Sequence, residues 1–216
     1  MTDQSPPPHP EPRPAPSLST ARIETLADGV FAIVMTLLVF GIVVPAQEQV
    51  NELGLVGALI TLIPNLVSYF ISFVILGVFW VGHHNQFFYI KRSDRTLLWI
   101  NIVFMMFVAL VPFSAGLLSR YGSEQISVII YDINLILCGL TLYWHWMYGT
   151  RDNHLTHIPV EPHIRKMVVR RILFPPALYL ISIVLSFLRA EISIVLDILI
   201  PLLYVLPSNL DQAFRR

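Results

Sequence analysis

The residues of this chain that could do chemistry are polar side chains set within long apolar segments. Asp28 lies almost two turns inside the first apolar segment. Burying a charge costs free energy, so we expect Asp28 to find a partner on another helix. A second apolar segment contains Trp80, His83, His84 and Phe87. These residues lie at positions 0, 3, 4 and 7 of the segment, which places them on one face of a helix. With Asn101 at a similar depth, these residues predict a buried hydrogen-bonded network, which either joins the helices or acts directly in function.

The histidines do not form a metal-binding pattern. Adjacent residues on a helix point about 100° apart, so His83 and His84 rarely bind one ion. A loop expected to be solvated contains His154, His157 and His163. The sequence has no Gly-rich phosphate loop, Ser-His-Asp order or zinc-protease helix motif. We therefore expect no enzyme, no metal and no cofactor.

Three further residues have reactive side chains within apolar segments. Asp132 and Asp197 lie nearer the outer ends of predicted helices, where we expect solvated or hydrogen-bonded roles rather than catalysis. Cys138 is the one cysteine, which excludes an intrachain disulfide, and its apolar neighbours predict a buried thiol.

Composition defines the class of protein that must position these residues. The chain has 216 residues, of which 55% are hydrophobic and 13% charged. Soluble domains usually carry about 25% charged residues. The mean hydropathy of +0.67 and the zero net charge exclude an ordinary soluble enzyme, a disordered chain and a basic nucleic-acid binder. These values predict an all-α membrane protein with several spans.

The apolar segments predict six transmembrane helices, and the first four easily reach the roughly 20 residues that a span needs. The predicted ranges are 22–44, 55–89, 97–118, 126–148, 172–188 and 192–206. Pro64 lies near the beginning of the second helix, and Pro175 and Pro176 are expected to open the fifth. The last two helices are short. We expect a hairpin of two spans, and the alternative is one long bent helix.

The predicted helices divide the chain into three parts. Proline-rich residues 1–19 are expected to be a disordered cytoplasmic tail, residues 20–207 a six-helix transmembrane domain, and residues 208–216 a cytoplasmic tail. With six spans, twelve Lys and Arg residues fall on one side and two on the other. The positive-inside rule therefore predicts that both termini are cytoplasmic.

Helix 1 also carries an apolar stripe. Ile33, Leu37 and Phe40 follow a spacing of four and then three residues, and Thr36 lies beside them. By pattern alone, this stripe is typical of an ordinary lipid-facing or packing surface.

The beginning of helix 1 resembles the signature of a known family. The segment Arg22-x-x-x-Leu26-Ala27-Asp28-Gly29, with the apolar residues after it, is similar to the Arg-x-x-x-Phe-Ser-Asp signature of the lysosomal potassium channel family (transmembrane protein 175 family). Trp80-x-x-His83-His84 and the run from Asn101 to Phe113 resemble the second and third helices of its prokaryotic members. The resemblance covers residues 20–148 well and the final hairpin loosely. A single six-helix repeat resembles the bacterial form.

The resemblance implies a homotetrameric cation channel in the cell membrane, with helix 1 lining a central pore and no carbonyl selectivity filter. In that arrangement Ile33, Leu37 and Phe40 are the constriction, and Thr36 is a polar pore-lining neighbour. The resemblance also assigns Arg22, Asp28, His83, Asn101 and Trp80 to holding helix 1 against its neighbours. Leu26 and Ala27 depart from the family's Phe and Ser, and Phe40 stands where Leu is more familiar.

We therefore expect a potassium-permeable channel with a hydrophobic constriction, whose partners are K⁺ and other monovalent cations, the lipid bilayer and three further copies of the chain. No nucleic-acid partner is expected. The alternatives are a proton-coupled secondary transporter that uses Asp28 and His83, and a membrane enzyme that uses His83 and His84.

Overall fold

The computed structural model describes residues 18–205, and most of them are helical. Eight α-helices follow one another: α1 (Ala21–Leu37), α2 (Gln47–Ile60), α3 (Ile63–Tyr89), α4 (Arg95–Ala109), α5 (Val111–Tyr121), α6 (Gln125–Gly149), α7 (Pro162–Ser186) and α8 (Ala190–Val205). Short 3-10 turns lie at Leu38–Gly41 and Arg151–Asn153. Two short strands, β1 (Leu18–Ser19) and β2 (Arg92–Ser93), pair in an antiparallel manner. The all-α prediction is confirmed.

Helix α1 is shorter than predicted. It ends at Leu37, continues as a 3-10 turn to Gly41 and becomes extended at Ile42. The expected end at residue 44 was wrong, because Ile42 and Val43 are β-branched and Val44 precedes a proline, and both features favour extended backbone. The Asn65 side-chain amide donates to the Gly41 carbonyl over 2.8 Å, which ties this end of the helix to α3.

The second and third predicted helices are each divided in two. Residues 61–62 separate α2 from α3, where Pro64 lies in the first turn. Gly54 has a φ of 71° and interrupts α2, a conformation that glycine adopts without a steric penalty. Leu110 separates α4 from α5 because Pro112, in the first turn of α5, has no N–H to continue the ladder of α4. The Asp94 carboxylate caps α4 by accepting the Leu97 N–H over 2.8 Å.

Helices α7 and α8 form a hairpin. The Ser193 hydroxyl of α8 donates to the Ser182 carbonyl of α7 over 2.7 Å, so the prediction of a hairpin rather than one bent helix is confirmed. Helix α7 begins ten residues before the expected residue 172. Pro175 and Pro176 lie inside α7 and do not open it, because Pro162 already occupies the first turn.

Five helical segments of the described chain are long and apolar enough to cross a membrane. They are Ala21–Gly41, Gln47–Tyr89, Arg95–Tyr121, Gln125–Gly149 and Pro162–Ser186. Helix α8 has 16 residues and corresponds to the sixth predicted helix. Most of the two expected tails, residues 1–17 and 208–216, lies outside the described residues.

The described end of the N-terminal segment is held by β-type hydrogen bonds. Leu18 and Ser19 pair with Ser93 and Arg92, next to the turn between α3 and α4. The Lys91 N–H donates to the carbonyl of Leu155 in the α6–α7 connection over 3.0 Å. We call these contacts the strand clasp. They place Leu18 and Ser19 in ordered structure, although the sequence predicts a disordered tail up to residue 19.

Candidate functional site

Helix α1 has one face buried in the protein and one face exposed. The buried face is formed by Ile23, Ala27, Phe31, Val34 and Leu38, with spacings of four, four, three and four residues. On the other side, Ile33, Leu37 and Phe40 expose 61%, 43% and 74% of their surface. We call Ile33, Thr36, Leu37 and Phe40 the exposed α1 face. Val34, the direct neighbour of Ile33, belongs to the core.

Thr36 adds a polar atom to the exposed α1 face. Its hydroxyl donates to the carbonyl of Ile33 over 2.7 Å within the helix. Since the proton is used in that bond, the lone pairs of Thr36 Oγ1 stay available as acceptors. An oxygen presented in this way is a suitable ligand for a cation.

The first turns of α1 continue this face. A shallow trough is lined by Ala21, Arg22, Thr25, Leu26, Gly29, Val30 and Ile33. Leu26 is exposed, so its departure from the family signature changes the surface of the helix. Ala27 is completely buried, so a methyl group fills a core position where the family signature has a hydroxyl.

Asp28 finds its partner on another helix, as expected. The Trp80 indole N–H donates to Asp28 Oδ1 over 2.8 Å and so joins α1 to α3. The Trp80 ring stacks on His84, with ring centroids 5.8 Å apart. Within the described chain, no ion pair joins Arg22 to Asp28.

His83 and Asn101 form a second, separate pair. His83 Nε2 and Asn101 Oδ1 are 2.7 Å apart, and the two residues are 2% and 1% exposed. Phe104 and Phe87 enclose the imidazole, with ring centroids at 5.3 Å and 4.9 Å. The network that the sequence predicts as one buried cluster is therefore two separate interhelical pairs. The Asp28–Trp80 pair is exposed, so its predicted burial was wrong, and an apolar wall surrounds the second pair.

A third polar pair nearby was not found from the sequence. His145 Nδ1 lies 2.6 Å from Gln86 Oε1, and the Gln86 amide donates to the Leu142 carbonyl over 3.1 Å. The His145 ring is 5.5 Å from the His83 ring, so α3, α4 and α6 meet around one polar cluster. The sequence did contain a signal for this pair, because His145 lies inside a predicted span and a histidine in a span usually has a polar partner.

The two outer aspartates are not solvated. Asp132 is completely buried and Asp197 is 1% exposed, so of the two expected roles, solvated or hydrogen-bonded, the solvated one was wrong. Their carboxyl groups approach the buried Ser182 hydroxyl, but no hydrogen bond of normal geometry joins the three groups. They lie between α6, α7 and α8 and so do not contribute to the exposed α1 face.

Two of the three histidines that were predicted in one loop have local partners for their side chains, and His163 lies in the first turn of α7 rather than in the loop. His154 Nδ1 is 2.7 Å from the Arg151 carbonyl, and His163 Nδ1 is 3.0 Å from the Glu161 carboxylate. In residues 18–205, no three His, Cys, Asp or Glu side chains come together as a metal site.

The fold and this site define a helical membrane protein of the multi-span class, in which one helix presents an uncovered apolar face beside polar interhelical pairs. Comparison with known proteins identifies the family. The family model described as endosomal/lysosomal potassium channel TMEM175 matches residues 22–112. The chain is 31% identical over 193 residues to a potassium channel of Chamaesiphon minutus, covering 88% of this chain and 95% of that protein. The chain belongs to the TMEM175 family.

A solved structure and a human relative extend the comparison. The crystal structure of a lysosomal potassium-selective channel TMEM175 homologue from Chamaesiphon minutus aligns with a TM-score of 0.78 and 30% identity, covering 87% of this chain and 96% of that one. The human endosomal/lysosomal proton channel TMEM175 is 36% identical over 113 residues, which is 50% of this chain and 22% of the human protein. These relatives are channels by name, in agreement with the expectation that the chain is not an enzyme.

Proposed function

We propose that this chain is a potassium-permeable channel and that four copies surround a central pore lined by α1. The exposed α1 face carries this proposal. It is apolar and uncovered in a single chain, while the opposite face packs in the core. A pore lined by one helix type requires several copies around an axis, and closed cyclic symmetry lets the same face of each copy meet at that axis.

In the proposed pore, the constriction is made of apolar rings. Four copies of Ile33, Leu37 or Phe40 at one level exclude water, and an ion that loses its hydration shell there finds no replacement ligands. Gating would then follow from wetting and dewetting of these rings. The Thr36 hydroxyls lie between the levels of Ile33 and Phe40 and would supply oxygen ligands where apolar rings alone offer none.

The sequence has no Thr-Val-Gly-Tyr-Gly segment from which a carbonyl filter could be built. Selectivity would therefore depend on the width of the rings and on the Thr36 oxygens. Among the three apolar residues of the face, Phe40 is the most exposed and has the largest side chain, so it would set the narrowest ring at its end.

Proton permeation is the second candidate function. The human relative that matches half of this chain is named a proton channel. Asp28 is a partly exposed carboxylate on α1 that the Trp80 indole holds in place. A proton-coupled transporter with Asp28 and His83 acting as one relay receives less support, because each of these residues is paired with a different side chain.

The proposed channel lies in the cell membrane with residues 20–207 as its transmembrane domain and both termini in the cytoplasm. Cysteine labelling tests this orientation, and the buried native Cys138 gives a low background. With an impermeant reagent on intact cells, we expect Glu48→Cys to react and Phe214→Cys to stay unlabelled. Labelling of Phe214→Cys from outside would refute the proposed orientation.

Ion flux from proteoliposomes tests the function. Vesicles loaded with K⁺ should release it when a protonophore lets protons enter to balance the charge, and a K⁺ ionophore fixes the maximal signal. We expect Phe40→Ala to increase K⁺ flux and to reduce the preference over Na⁺. Val39→Ala is the matched control, because Val39 neighbours Phe40 in the same turn and is also exposed, at 48%, but does not follow the spacing of Ile33, Leu37 and Phe40. Equal effects of the two substitutions, or no K⁺ flux from the wild type, would contradict the proposed pore.

Mass measurement in mild detergent tests the assembly. A tetramer is expected, and a stable monomer or dimer that still conducts would contradict a pore made of four α1 helices. A pH-sensitive dye in the same vesicles separates the two candidate ions. When no protonophore is present and the K⁺ ionophore carries the compensating charge, proton influx that requires the protein would favour the second function, and loss of that influx in Asp28→Asn would place this carboxylate on the proton path.

A further inference from the structure

Two buried aspartates and a buried serine meet where the α7–α8 hairpin packs against α6. Asp132 and Asp197 are each the eighth residue of their helices, and Ser182 is the fifth residue from the end of α7. Because α6 and α8 begin at the end of the bundle where α7 ends, the three residues lie within roughly 10 Å of that end, at about 1.5 Å per residue. Each is at most 1% exposed. We call these three residues the carboxylate cluster.

The carboxylate cluster contains five oxygen atoms without a hydrogen-bond partner in residues 18–205. They are the four carboxyl oxygens and the Ser182 hydroxyl, and water can touch almost none of their surface. The Ser182 hydroxyl lies within reach of both carboxyl groups. In the same part of the chain, neither aspartate forms an ion pair with Lys, Arg or His. Since buried polar groups are normally satisfied and buried charges paired, these converging oxygens indicate a ligand that the side chains themselves do not supply.

The side of the carboxylate cluster that faces α3 is closed by Tyr131. The Tyr131 hydroxyl lies 3.1 Å from the Ser72 hydroxyl of α3, and both residues are buried. Tyr131 is also near enough to Asp132 and Asp197 to be influenced by their charge. These neighbours are hydroxyl groups, which bring no positive charge to the site. Two carboxylates side by side in a medium of low dielectric constant repel each other, so a positive species must accompany them.

We propose that the carboxylate cluster binds one Ca²⁺ ion, which joins the α7–α8 hairpin to α6. The charge fits, because a divalent ion compensates both carboxylates and a monovalent ion would leave one charge over. The size fits too, since Ca²⁺–oxygen distances of about 2.3–2.6 Å are shorter than hydrogen bonds to water, and a space that excludes water still admits a dehydrated ion.

The type of ligand separates Ca²⁺ from other metal ions. All the candidate ligands are oxygens, which suit hard cations, whereas Zn²⁺ and Cu²⁺ favour histidine or cysteine. Ca²⁺ takes about six to eight oxygens in a flexible arrangement, and the Tyr131 hydroxyl adds a sixth nearby oxygen to the five of the cluster. Mg²⁺ requires stricter octahedral geometry and usually keeps several water molecules, which this closed site does not admit.

Equilibrium dialysis of the purified protein against radioactive Ca²⁺, after treatment with a chelator, tests the proposal. We expect one Ca²⁺ per chain, which equal concentrations of Mg²⁺ or Na⁺ do not displace. Asp132→Asn and Asp197→Asn keep the shape of the side chain and remove one charge and one ligand. Each should weaken binding at least about tenfold, because loss of a group that only supports a metal ligand already costs about 10–100-fold. Ser182→Ala removes a neutral ligand and should have a smaller effect.

Thermal melting gives a second measurement, in which the order of the variants should reverse. With a chelator present, wild type holds two uncompensated carboxylates, so Asp132→Asn should melt at the same or a higher temperature. With Ca²⁺ at about 100 times the dissociation constant, the ion shifts the unfolding equilibrium of the wild type about 100-fold, and the wild type should melt at the higher temperature. A carboxylate that only packs between helices would give the same order in both buffers.

Asp152→Asn is the matched control. It is the same substitution at an exposed position, and asparagine tolerates the positive φ of 50° there, so Ca²⁺ binding should not change. Equal losses of binding in Asp152→Asn and Asp132→Asn would overturn the proposal, as would displacement of Ca²⁺ by an equal concentration of Na⁺. Stability that ignores Ca²⁺ and rises as the pH falls would show that the carboxyl groups share a proton instead. If the aspartate variants do not fold, the stoichiometry and ion competition of the wild type and of Ser182→Ala decide.

Discussion

The hydrogen bond between His83 and Asn101 allows a sharp test of how α3 is held against α4. Both residues are almost completely buried, and the imidazole is enclosed by aromatic rings. His83→Phe keeps a ring of similar shape in that wall, and Asn101→Leu keeps a side chain of similar volume. Each single substitution removes one hydrogen-bonding partner and leaves the other in an apolar environment, where no water replaces it.

The expected magnitudes follow from burial. Leaving one polar group buried and unsatisfied costs about 1–3 kcal/mol, so we expect each single variant to lose about 2 kcal/mol of stability. The double variant has no unsatisfied group left. Its loss should therefore be smaller than the sum of the two single losses. Interhelical hydrogen bonds in membranes have coupling energies of about 0.6 kcal/mol on average and up to about 1.7, and this short, fully buried pair should lie near the upper end.

Reversible unfolding in mixed detergent micelles measures the four members of this double-mutant cycle. The control cycle combines His83→Phe with Ser193→Ala, because Ser193 bonds to α7 and shares no partner with His83. Independent sites add within about 0.5 kcal/mol, so the control should be additive. If the His83–Asn101 cycle is additive within the same margin, the hydrogen bond contributes nothing specific, and our account of the interhelical pair is wrong.

Three further predictions concern α1 and the packing of α6. Asp28→Asn keeps an acceptor oxygen for the indole but removes the charge, and we expect weaker assembly on a detergent sizing column before any change in ion preference. Ile33→Asn should increase K⁺ flux without loss of stability, whereas Val34→Asn buries an amide in the core and should lower thermal stability by about 1–3 kcal/mol; the reverse result would place the wrong face at the pore. Gly139→Ala should cost about 1–3 kcal/mol, because its Cβ would lie 2.5 Å from a proline ring of α7, while Gly116→Ala meets nothing and should stabilise by up to about 1 kcal/mol in the same melting experiment.

The hydrophobic pattern predicted the helices well where a whole helix is apolar enough to lie in the membrane. The number of helical units and the final hairpin follow from apolar length. Asp28 does bond to another helix, but burial of its charge is not the reason, because Asp28 is exposed in the described chain. The pattern failed at helix ends. Helix α7 extends beyond its apolar part through the basic turn around Arg165 and Lys166, and a hydrophobicity criterion starts such a helix too late.

The polar pairs could be predicted only in part. Spacing placed Trp80 and His83 on one helix face, but it could not decide that Trp80 meets Asp28 while His83 meets Asn101. The choice of partner depends on the relative positions of α1, α3 and α4 along their axes. The packing of many apolar side chains sets these positions. The pair of Gln86 and His145 was missed as well. These residues are 59 apart in sequence, so only the packing of α3 against α6 brings them together.

The strand clasp gives α1 the mechanics of a lever. One end is fixed at Leu18 and Ser19 by backbone hydrogen bonds. The other end is held by the Asn65 hydrogen bond to Gly41, so a tilt that breaks this one bond swings the helix about the strand clasp. Ile33 lies about 18 Å and Phe40 about 30 Å along the axis from Ala21, from the rise per residue of the α and 3-10 geometries. A tilt of about 5° then moves Ile33 by about 1.6 Å and Phe40 by about 2.6 Å. A tilt of α1 therefore displaces Phe40 further than Ile33, so in the proposed pore the ring of Phe40 side chains would move more than the ring of Ile33 side chains.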